Sequence, residues 1–146
     1  MAGPRSYDGR VYIADTSAWS HAAHHAVQAE WAAALRNRQI ATSPLVKLEL
    51  LFSTRDRAGY DRLDAMLGVL RDVPITRSVT NAALAALRGL AHVQPLYHRS
   101  VKIPDLLIAA AAQDAVVGVL HYDAHFDRLA EVLEFESRWI APPGSL

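Results

Sequence analysis

The chain has 146 residues, with 15 basic and 15 acidic side chains, no net charge and no cysteine. This length fits one ordinary domain, and a hydrophobic content of 51% excludes a disordered or fibrous chain. The lack of cysteine excludes disulfides, thiolate catalysis and cysteine-based zinc sites, and the balanced charge gives no global electrostatic case for nucleic-acid binding.

The distribution of apolar residues indicates where the protein acts. The amino terminus lacks the apolar core of a signal peptide, and the longest apolar stretch, around residues 106–112, is too short to span a bilayer. We therefore expect a cytoplasmic protein that has no membrane partner.

The first half of the chain alternates short apolar strands with amphipathic helices. Residues 11–14 predict a buried strand, and a helix capped by Thr16 or Ser17 follows at once. A second helix is expected over 24–38 and a weak strand over 39–42, before a helix that Pro44 opens. Another helix follows a gap at Gly59, and residues 73–75 predict an edge strand because Pro74 cannot donate to a ladder.

The second half continues the alternation. A helix is expected from about residue 78 to 93, then a polar loop over 94–102, then a helix over 105–115 that Gly118 ends. Residues 119–122 predict a second buried strand, followed by a short helix at 126–132 and a strand around 135–140. Strands that alternate with helices predict an α/β fold with three α/β/α layers and a central parallel β-sheet.

Four isolated acidic residues lie in apolar surroundings along this pattern. Asp15 and Asp123 follow the two buried strands, Asp105 lies in the first turn of a predicted helix, and Glu49 lies among leucines. In open parallel sheets, ligands bind beyond the carboxyl ends of the strands, near the point where the strand order reverses. We therefore expect these four acids to share one edge of the sheet.

Each acid alone also has a simpler interpretation. Asp15 can cap the helix that follows it, and Asp105 can complement a helix dipole. Asp123 can form an Asx-turn, and Glu49 can pair with Lys47 or face solvent. The joint pattern of four acids in apolar sequence is what favours a functional site.

Converging carboxylates need a counter-charge. At about 4 Å and an effective dielectric near 20, each like-charge pair costs on the order of 4 kcal/mol. The group must therefore hold protons or bind a cation, and oxygen ligands suit Mg²⁺ or Mn²⁺ better than zinc. A divalent ion with open water positions can activate water and neutralise a phosphoryl oxyanion, so the pattern favours hydrolysis of a phosphodiester.

Four stretches carry a resemblance to a known family, and they span Val11 to Asp127 in sequence order. They are VYIADTS at the start, LVKLELLF around Glu49, IPDLLIAAAA around Asp105 and HYDAHFD around Asp123. With these stretches the chain resembles the PIN-domain ribonucleases, in particular the VapC toxins of bacterial and archaeal VapBC toxin–antitoxin modules.

The resemblance implies a single PIN-like domain over residues 1–146, with its core at about 11–140. It implies an endoribonuclease that depends on Mg²⁺, with Mn²⁺ as a possible substitute, and that cleaves RNA of the tRNA or rRNA class by metal-activated water. Such a toxin inhibits translation and growth, forms a homodimer and is held inactive by a cognate VapB-type antitoxin. The implied catalytic residues are Asp15, Glu49, Asp105 and Asp123, of which Asp15, Asp105 and Asp123 are the metal ligands.

The chain departs from the family after its fourth strand. The family often continues as Thr-x-Asp-x-Asp-Phe, whereas this chain has His121 in place of the hydroxyl and His125 in place of the second carboxylate. Asp127 follows one residue after the expected Phe126. The departure concerns a second metal site more than the first, and a structural role for His125 stands beside a role in contacting phosphate or tuning the site.

Two other functions remain open on the sequence alone. A phospho-signalling receiver domain shares strand-end carboxylates, but Lys102 precedes a predicted helix where a receiver needs a lysine after a late strand. A catalytically inert PIN-like module that only binds RNA or a partner is the other alternative.

For an antitoxin groove, the apolar candidates are Trp19, Trp31, Leu48 and Phe52.

Overall fold

Five short parallel strands form the centre of the structure, a computed structural model that describes residues 6–146. The strands are β1 (Tyr12–Ala14), β2 (Ile40–Thr42), β3 (Arg71–Asp72), β4 (Gly118–His121) and β5 (Ser137–Trp139). The helices are α1 (Thr16–His21), α2 (Gln28–Arg36), α3 (Pro44–Phe52), α4 (Arg57–Gly68), α5 (Arg77–Val93), α6 (Ile103–Ala115) and α7 (His125–Leu129). Tyr97–Ser100 is a short 3-10 helix, and Ser6–Gly9 is a turn in which Tyr7 and Asp8 have left-handed φ angles of 48° and 55°.

The strand order β3-β2-β1-β4-β5 places β1 and β4 side by side in the middle of the sheet. Tyr12 pairs with Gly118, and Ala14 pairs with Leu120. The chain adds β2 and β3 on one side of β1 and then returns to add β4 and β5 on the other. The strand order therefore reverses between β1 and β4, and this reversal opens a crevice at their carboxyl ends.

Successive residues of the central strands face opposite layers, and each layer contains a buried apolar core. Ile13 and Val119 belong to a core formed with α3, α5, α6 and α7. Tyr12, Ala14 and Leu120 belong to a second core formed with α1 and α2. Because both faces are covered, these strands are apolar except for His121 at the end of β4, and the predicted three-layer α/β/α architecture with a parallel sheet is confirmed.

Two boundaries in the middle of the chain differ from prediction. The edge strand pairs through Arg71 and Asp72 instead of 73–75, and the last ladder bond runs from the Val73 N–H to the Thr42 carbonyl at 2.8 Å. Pairing ends there because Pro74 has no N–H to donate. Gly59 lies inside α4 and not in a gap, since its N–H donates to the side chain of the α4 cap residue Asp56 at 2.6 Å.

The helix before β4 ends at Ala115 as predicted, but Gly118 is not the residue that ends it. Val116 makes the turn with a left-handed φ of 56°. Gly118 instead opens β4, where a Cβ atom would lie 2.5 Å from the Tyr12 ring. Smaller differences shorten three other elements: α2 begins at Gln28, α7 ends at Leu129 and β5 covers Ser137–Trp139. In the described part of the chain no helix is long and apolar enough to cross a membrane.

Candidate metal centre

Asp15 directly follows β1 and is only 3% exposed. Its Oδ2 accepts hydrogen bonds from the Ser17 N–H at 3.0 Å and the Ser17 hydroxyl at 2.7 Å, so Asp15 caps α1, and the prediction of a Thr16 or Ser17 cap is wrong. Burial raises the pKa of Asp15, and the hydrogen bonds from Ser17 oppose that rise. Within the described chain Oδ1 is buried without a hydrogen-bond partner, a costly state for a carboxylate oxygen.

Ser17 connects the ends of the two central strands. Its hydroxyl donates to Asp15 and accepts the Tyr122 N–H at 2.9 Å, one residue beyond β4. This contact holds the chain after β4 against the start of α1. The carboxylates that follow β1 and β4 are therefore fixed relative to each other.

Asp105 lies in the first turn of α6 and is 7% exposed. Its Oδ2 lies 3.0 Å from Nδ1 of His125, and the same Nδ1 lies 3.5 Å from Oδ1 of Asp123. Ligand atoms of these three residues all lie within 4.8 Å of one another. Asp123 also forms the predicted Asx-turn, since its Oδ1 accepts the His125 N–H at 3.0 Å.

The acids at this edge interact electrostatically. Burial raises the pKa of Asp105 to about 6; the hydrogen bond from His125 opposes this rise, and the charges of Asp15 and Asp123 add to it. The Asp123 charge also raises the pKa of Asp15. Of the four acids expected at one edge of the sheet, Asp105 and Asp123 lie within ligand spacing, and the charge of Asp15 acts on Asp105.

These residues fit a divalent cation. Two carboxylates and an imidazole nitrogen converge within ligand spacing, and the buried Oδ1 of Asp15 nearby lacks a donor. Neighbouring ligand atoms of an octahedral Mg²⁺ site are about 3 Å apart, close to the 3.0 Å and 3.5 Å that separate Nδ1 of His125 from Asp105 and Asp123. A cation would supply the counter-charge that clustered carboxylates require.

Glu49 lies beside this cluster but outside it. The carboxylate is exposed on α3, and its Oε2 accepts the Thr16 hydroxyl at 3.2 Å. Lys47, the alternative partner, instead pairs with Asp72 at 3.4 Å. Thr16 follows Asp15 in the chain, so Glu49 lies on the rim of the crevice next to the first acid.

His121 and Asp127 form a separate network that faces β5. Nδ1 of the fully buried His121 accepts the Asp123 N–H at 3.1 Å, and Nε2 lies 2.7 Å from the Ser137 hydroxyl. That hydroxyl donates to Oδ1 of Asp127 at 2.7 Å, and the Trp139 indole donates to Oδ2 at 2.9 Å. Burial lowers the pKa of His121 to about 4. Asp127 therefore does not replace the missing second carboxylate.

The apolar candidates for a groove divide into core and surface. Trp19 and Trp31 pack edge to face, with ring centroids 4.8 Å apart, and Trp31 is buried. Leu48 and Phe52 are 65% and 92% exposed and flank Glu49 on α3. Of the four candidates, Leu48 and Phe52 therefore offer the exposed apolar surface beside the site.

Comparisons with known proteins agree with this fold and site. Residues 12–132 match the family described as the PIN domain. The chain is 43% identical to Ribonuclease VapC18 of Mycobacterium tuberculosis, over 93% of this chain and 99% of that protein. It is 34% identical to Ribonuclease VapC51 of the same organism, over 92% and 96%.

Solved structures share the fold at low sequence identity. VapBC-5 from Mycobacterium tuberculosis, a member of the VapBC family of toxin–antitoxin systems, has a TM-score of 0.62 at 20% identity, over 89% of this chain and 98% of that chain. FitAcB from Neisseria gonorrhoeae has a TM-score of 0.58 at 18% identity, over 86% and 97%. The chain belongs to the PIN-domain family and, within it, to the VapC ribonucleases.

Proposed function

We propose that this chain is a metal-dependent endoribonuclease that acts as the toxin of a toxin–antitoxin module. Its proposed cofactor is Mg²⁺, with Mn²⁺ as a substitute, and its proposed substrate is RNA of the tRNA or rRNA class. The observation that carries the proposal is the pair of buried acids, Asp15 and Asp105, whose charges interact beside Asp123. Two relatives that the chain matches over most of its length are named ribonucleases, which supports the same activity.

The proposed mechanism assigns a role to each acid. Asp15, Asp105 and Asp123 would hold the cation, which would supply charge neutralisation at a phosphoryl oxygen and lower the pKa of water. Glu49, exposed and anchored by Thr16, orients the attacking water. The burial of Asp15 and Asp105 lowers the local dielectric and so strengthens every charge interaction at the scissile phosphate. The cleaved strands carry a 5′-phosphate and a free 3′-hydroxyl.

Incubation of the purified chain with total RNA, with and without Mg²⁺, followed by mapping of new ends, tests this proposal. We expect cleavage only with the cation, and we expect Asp105→Asn to lower the rate at least about a hundredfold. Asp114→Asn is the matched control, because Asp114 lies exposed near the other end of α6, where it accepts a hydrogen bond from the Ser78 hydroxyl. Cleavage by Asp105→Asn at the wild-type rate would remove this site assignment.

The proposed partner is a VapB-type antitoxin. Solved toxin–antitoxin complexes share this fold, and Leu48 and Phe52 offer exposed apolar surface on either side of Glu49. An arginine of the antitoxin would neutralise the carboxylates as a cation does. Co-purification with the product of an adjacent small reading frame tests this partner.

Three further proposals concern the state of the chain. The chain acts as one domain, because the helices between β1 and β5 pack on the two faces of a single sheet. It forms a homodimer, for which Leu84 and Ile103 supply exposed apolar surface on α5 and α6. It works in the cytoplasm, where its RNA substrate is. Light scattering and cell fractionation check the dimer and the compartment.

One observation keeps the inert module as a second candidate. His125 holds the position in which a second carboxylate was expected, and its Nδ1 already lies against Asp105. Calorimetric titration separates the two candidates, since an inert module would bind neither Mg²⁺ nor Mn²⁺ at millimolar concentration. The receiver-domain alternative has no comparable support, because Lys102 precedes α6 and ends no strand.

A further inference from the structure

We infer that His125 is a nitrogen ligand of the metal centre and that it makes the site prefer a first-row transition metal ion such as Mn²⁺ over Mg²⁺. The inference rests on the proposed metal-dependent function and specifies which ion the centre selects. It depends on where one ring atom lies relative to two carboxylates.

Nδ1 of His125 faces both carboxylates of the cluster. It lies 3.0 Å from Oδ2 of Asp105 and 3.5 Å from Oδ1 of Asp123, while its ring is 21% exposed. Without an ion, the 3.0 Å contact is a hydrogen bond between the ring and Asp105; as a ligand, Nδ1 would carry no proton, and the ion would replace that hydrogen bond. The two separations are close to those of adjacent ligand atoms around one ion, about 3 Å. In the described chain, the one group of three or more ligand residues that can hold an ion contains Asp105, Asp123 and His125.

One turn of the backbone orients the side chains of both His125 and Asp123. His125 is the first residue of α7, and its N–H donates to Asp123 Oδ1. The other histidine of this segment is not available, because both ring nitrogens of His121 are already bonded. A nitrogen ligand from this segment is therefore His125.

An imidazole among carboxylates changes which ion fits best. Mg²⁺ takes oxygen ligands and keeps several waters, and it gains little from a neutral nitrogen. First-row transition metal ions accept imidazole together with carboxylate. Their affinity for such sites is lowest for Mn²⁺ and rises from there to Cu²⁺. A site with two carboxylates and His125 therefore discriminates against Mg²⁺, whereas an all-carboxylate site does so much less.

Mn²⁺ as the probe allows binding and ligand identity to be read without any RNA. Electron paramagnetic resonance counts free Mn²⁺ during a titration, and competition with Mg²⁺ gives the ratio of the two affinities. Electron spin echo modulation from ¹⁴N reports a directly bound imidazole. The variants are His125→Asp, which exchanges the nitrogen for an oxygen ligand, and His92→Asp, which makes the same change at an exposed position on α5.

In the wild-type chain and in His92→Asp we expect ¹⁴N modulation and at least tenfold tighter binding of Mn²⁺ than of Mg²⁺. In His125→Asp we expect the modulation to vanish and the preference to fall at least tenfold. Wild-type protein without ¹⁴N modulation overturns the inference even if His125→Asp does not fold. An unchanged Mn²⁺ preference in folded His125→Asp overturns it as well.

A separate RNA assay distinguishes this inference from the proposed function. Cleavage of RNA with no nitrogen bound to Mn²⁺ removes the role of His125 and leaves the nuclease intact. Nitrogen-bound Mn²⁺ without RNA cleavage under any divalent ion removes the nuclease and leaves the metal site.

Discussion

Nε2 of His121 lies 2.7 Å from the hydroxyl oxygen of Ser137, and this contact joins the end of β4 to β5 inside the protein. Nδ1 of the same ring accepts the Asp123 N–H, so Nε2 carries the proton and donates it to Ser137. The Ser137 hydroxyl in turn donates a hydrogen bond to Oδ1 of Asp127. The loop that carries Asp123 is therefore held by a buried neutral imidazole.

Replacing Ser137 by alanine tests this network. The Ser137→Ala protein leaves the Nε2–H of a buried ring without an acceptor, and we expect the free energy of unfolding to fall by about 1–3 kcal/mol. Urea denaturation measures the change. Ser53→Ala is the control, because Ser53 is exposed and its hydroxyl donates to the Leu50 carbonyl, and its effect should stay within about 0.5 kcal/mol. Equal stability of the Ser137→Ala and wild-type proteins would show that the network contributes nothing.

Asp15 combines a structural role with a proposed catalytic one, and two substitutions separate them. Asparagine caps helices as well as aspartate does. The free energy of unfolding of Asp15→Asn should therefore lie within about 0.5 kcal/mol of the wild-type value. RNA cleavage by that variant should nevertheless fall at least about a hundredfold, because the ligand charge is gone. Asp15→Ala should lose the activity and also about 1 kcal/mol of stability. If Asp15→Asn cleaves RNA normally, Asp15 is a helix cap only.

Removal of the metal should reveal a conflict between stability and function at Asp105. In a chelator, Asp105→Asn should be at least as stable as the wild type, because the substitution removes a buried charge that Asp15 and Asp123 repel. At an Mn²⁺ concentration about 100 times the dissociation constant, the wild type should gain about 2.7 kcal/mol and Asp105→Asn almost nothing. Thermal unfolding with and without Mn²⁺ measures both, and Asp114→Asn should follow the wild type. If Mn²⁺ stabilised Asp105→Asn as much as the wild type, Asp105 would be excluded as a metal ligand.

Sequence predicted the architecture because strands buried on both faces are mostly apolar. The predicted strands at 11–14 and 119–122 showed this pattern apart from His121, and they overlap the adjacent central strands β1 and β4. The edge strand was misplaced by two residues because Arg71 and Asp72 are exposed and carry no apolar signal. The residue that ends a helix was also hard to identify. α6 stops at Ala115 as predicted, but its left-handed turn falls on Val116 and not on a glycine.

The acids of the site could be anticipated, but their exact grouping could not. Asp15, Asp105 and Asp123 each follow a strand or open a helix, positions that topology brings together. The place of His125 in the cluster depends on its rotamer and on the Asx-turn of Asp123, which residue order does not specify. The signals in the sequence were its position two residues after Asp123 and its place where the resembled family has a second carboxylate.

Gly118 shows how closely the central strands approach, and its replacement should be harmful. An alanine Cβ would lie 2.5 Å from the Tyr12 ring and 2.9 Å from the Glu136 carbonyl oxygen. Because Tyr12 is fully buried, its ring has no space to move, and we expect Gly118→Ala to lose about 1–3 kcal/mol. Gly68→Ala, at the end of α4 with no atom within 4 Å of the added Cβ, should be neutral or gain up to about 1 kcal/mol. Chemical denaturation of both variants makes the comparison, and similar stabilities would contradict it.

The exposed apolar pair on α3 should matter to the antitoxin and not to folding. Phe52 is 92% exposed and Leu48 65%, so replacing both by serine removes little buried surface and should change the free energy of unfolding by less than about 0.5 kcal/mol. Affinity for the co-expressed antitoxin should fall at least tenfold, because apolar anchors near the centre of an interface carry most of its binding energy.

Val69→Ser is the matched control for this surface, because Val69 is 83% exposed and lies after α4, away from Glu49. Calorimetric titration of the antitoxin into each variant measures the affinity. We expect the Val69→Ser protein to bind the antitoxin as the wild type does. If the double variant also binds with wild-type affinity, the antitoxin covers another face, and the apolar surface around Glu49 is left without that partner.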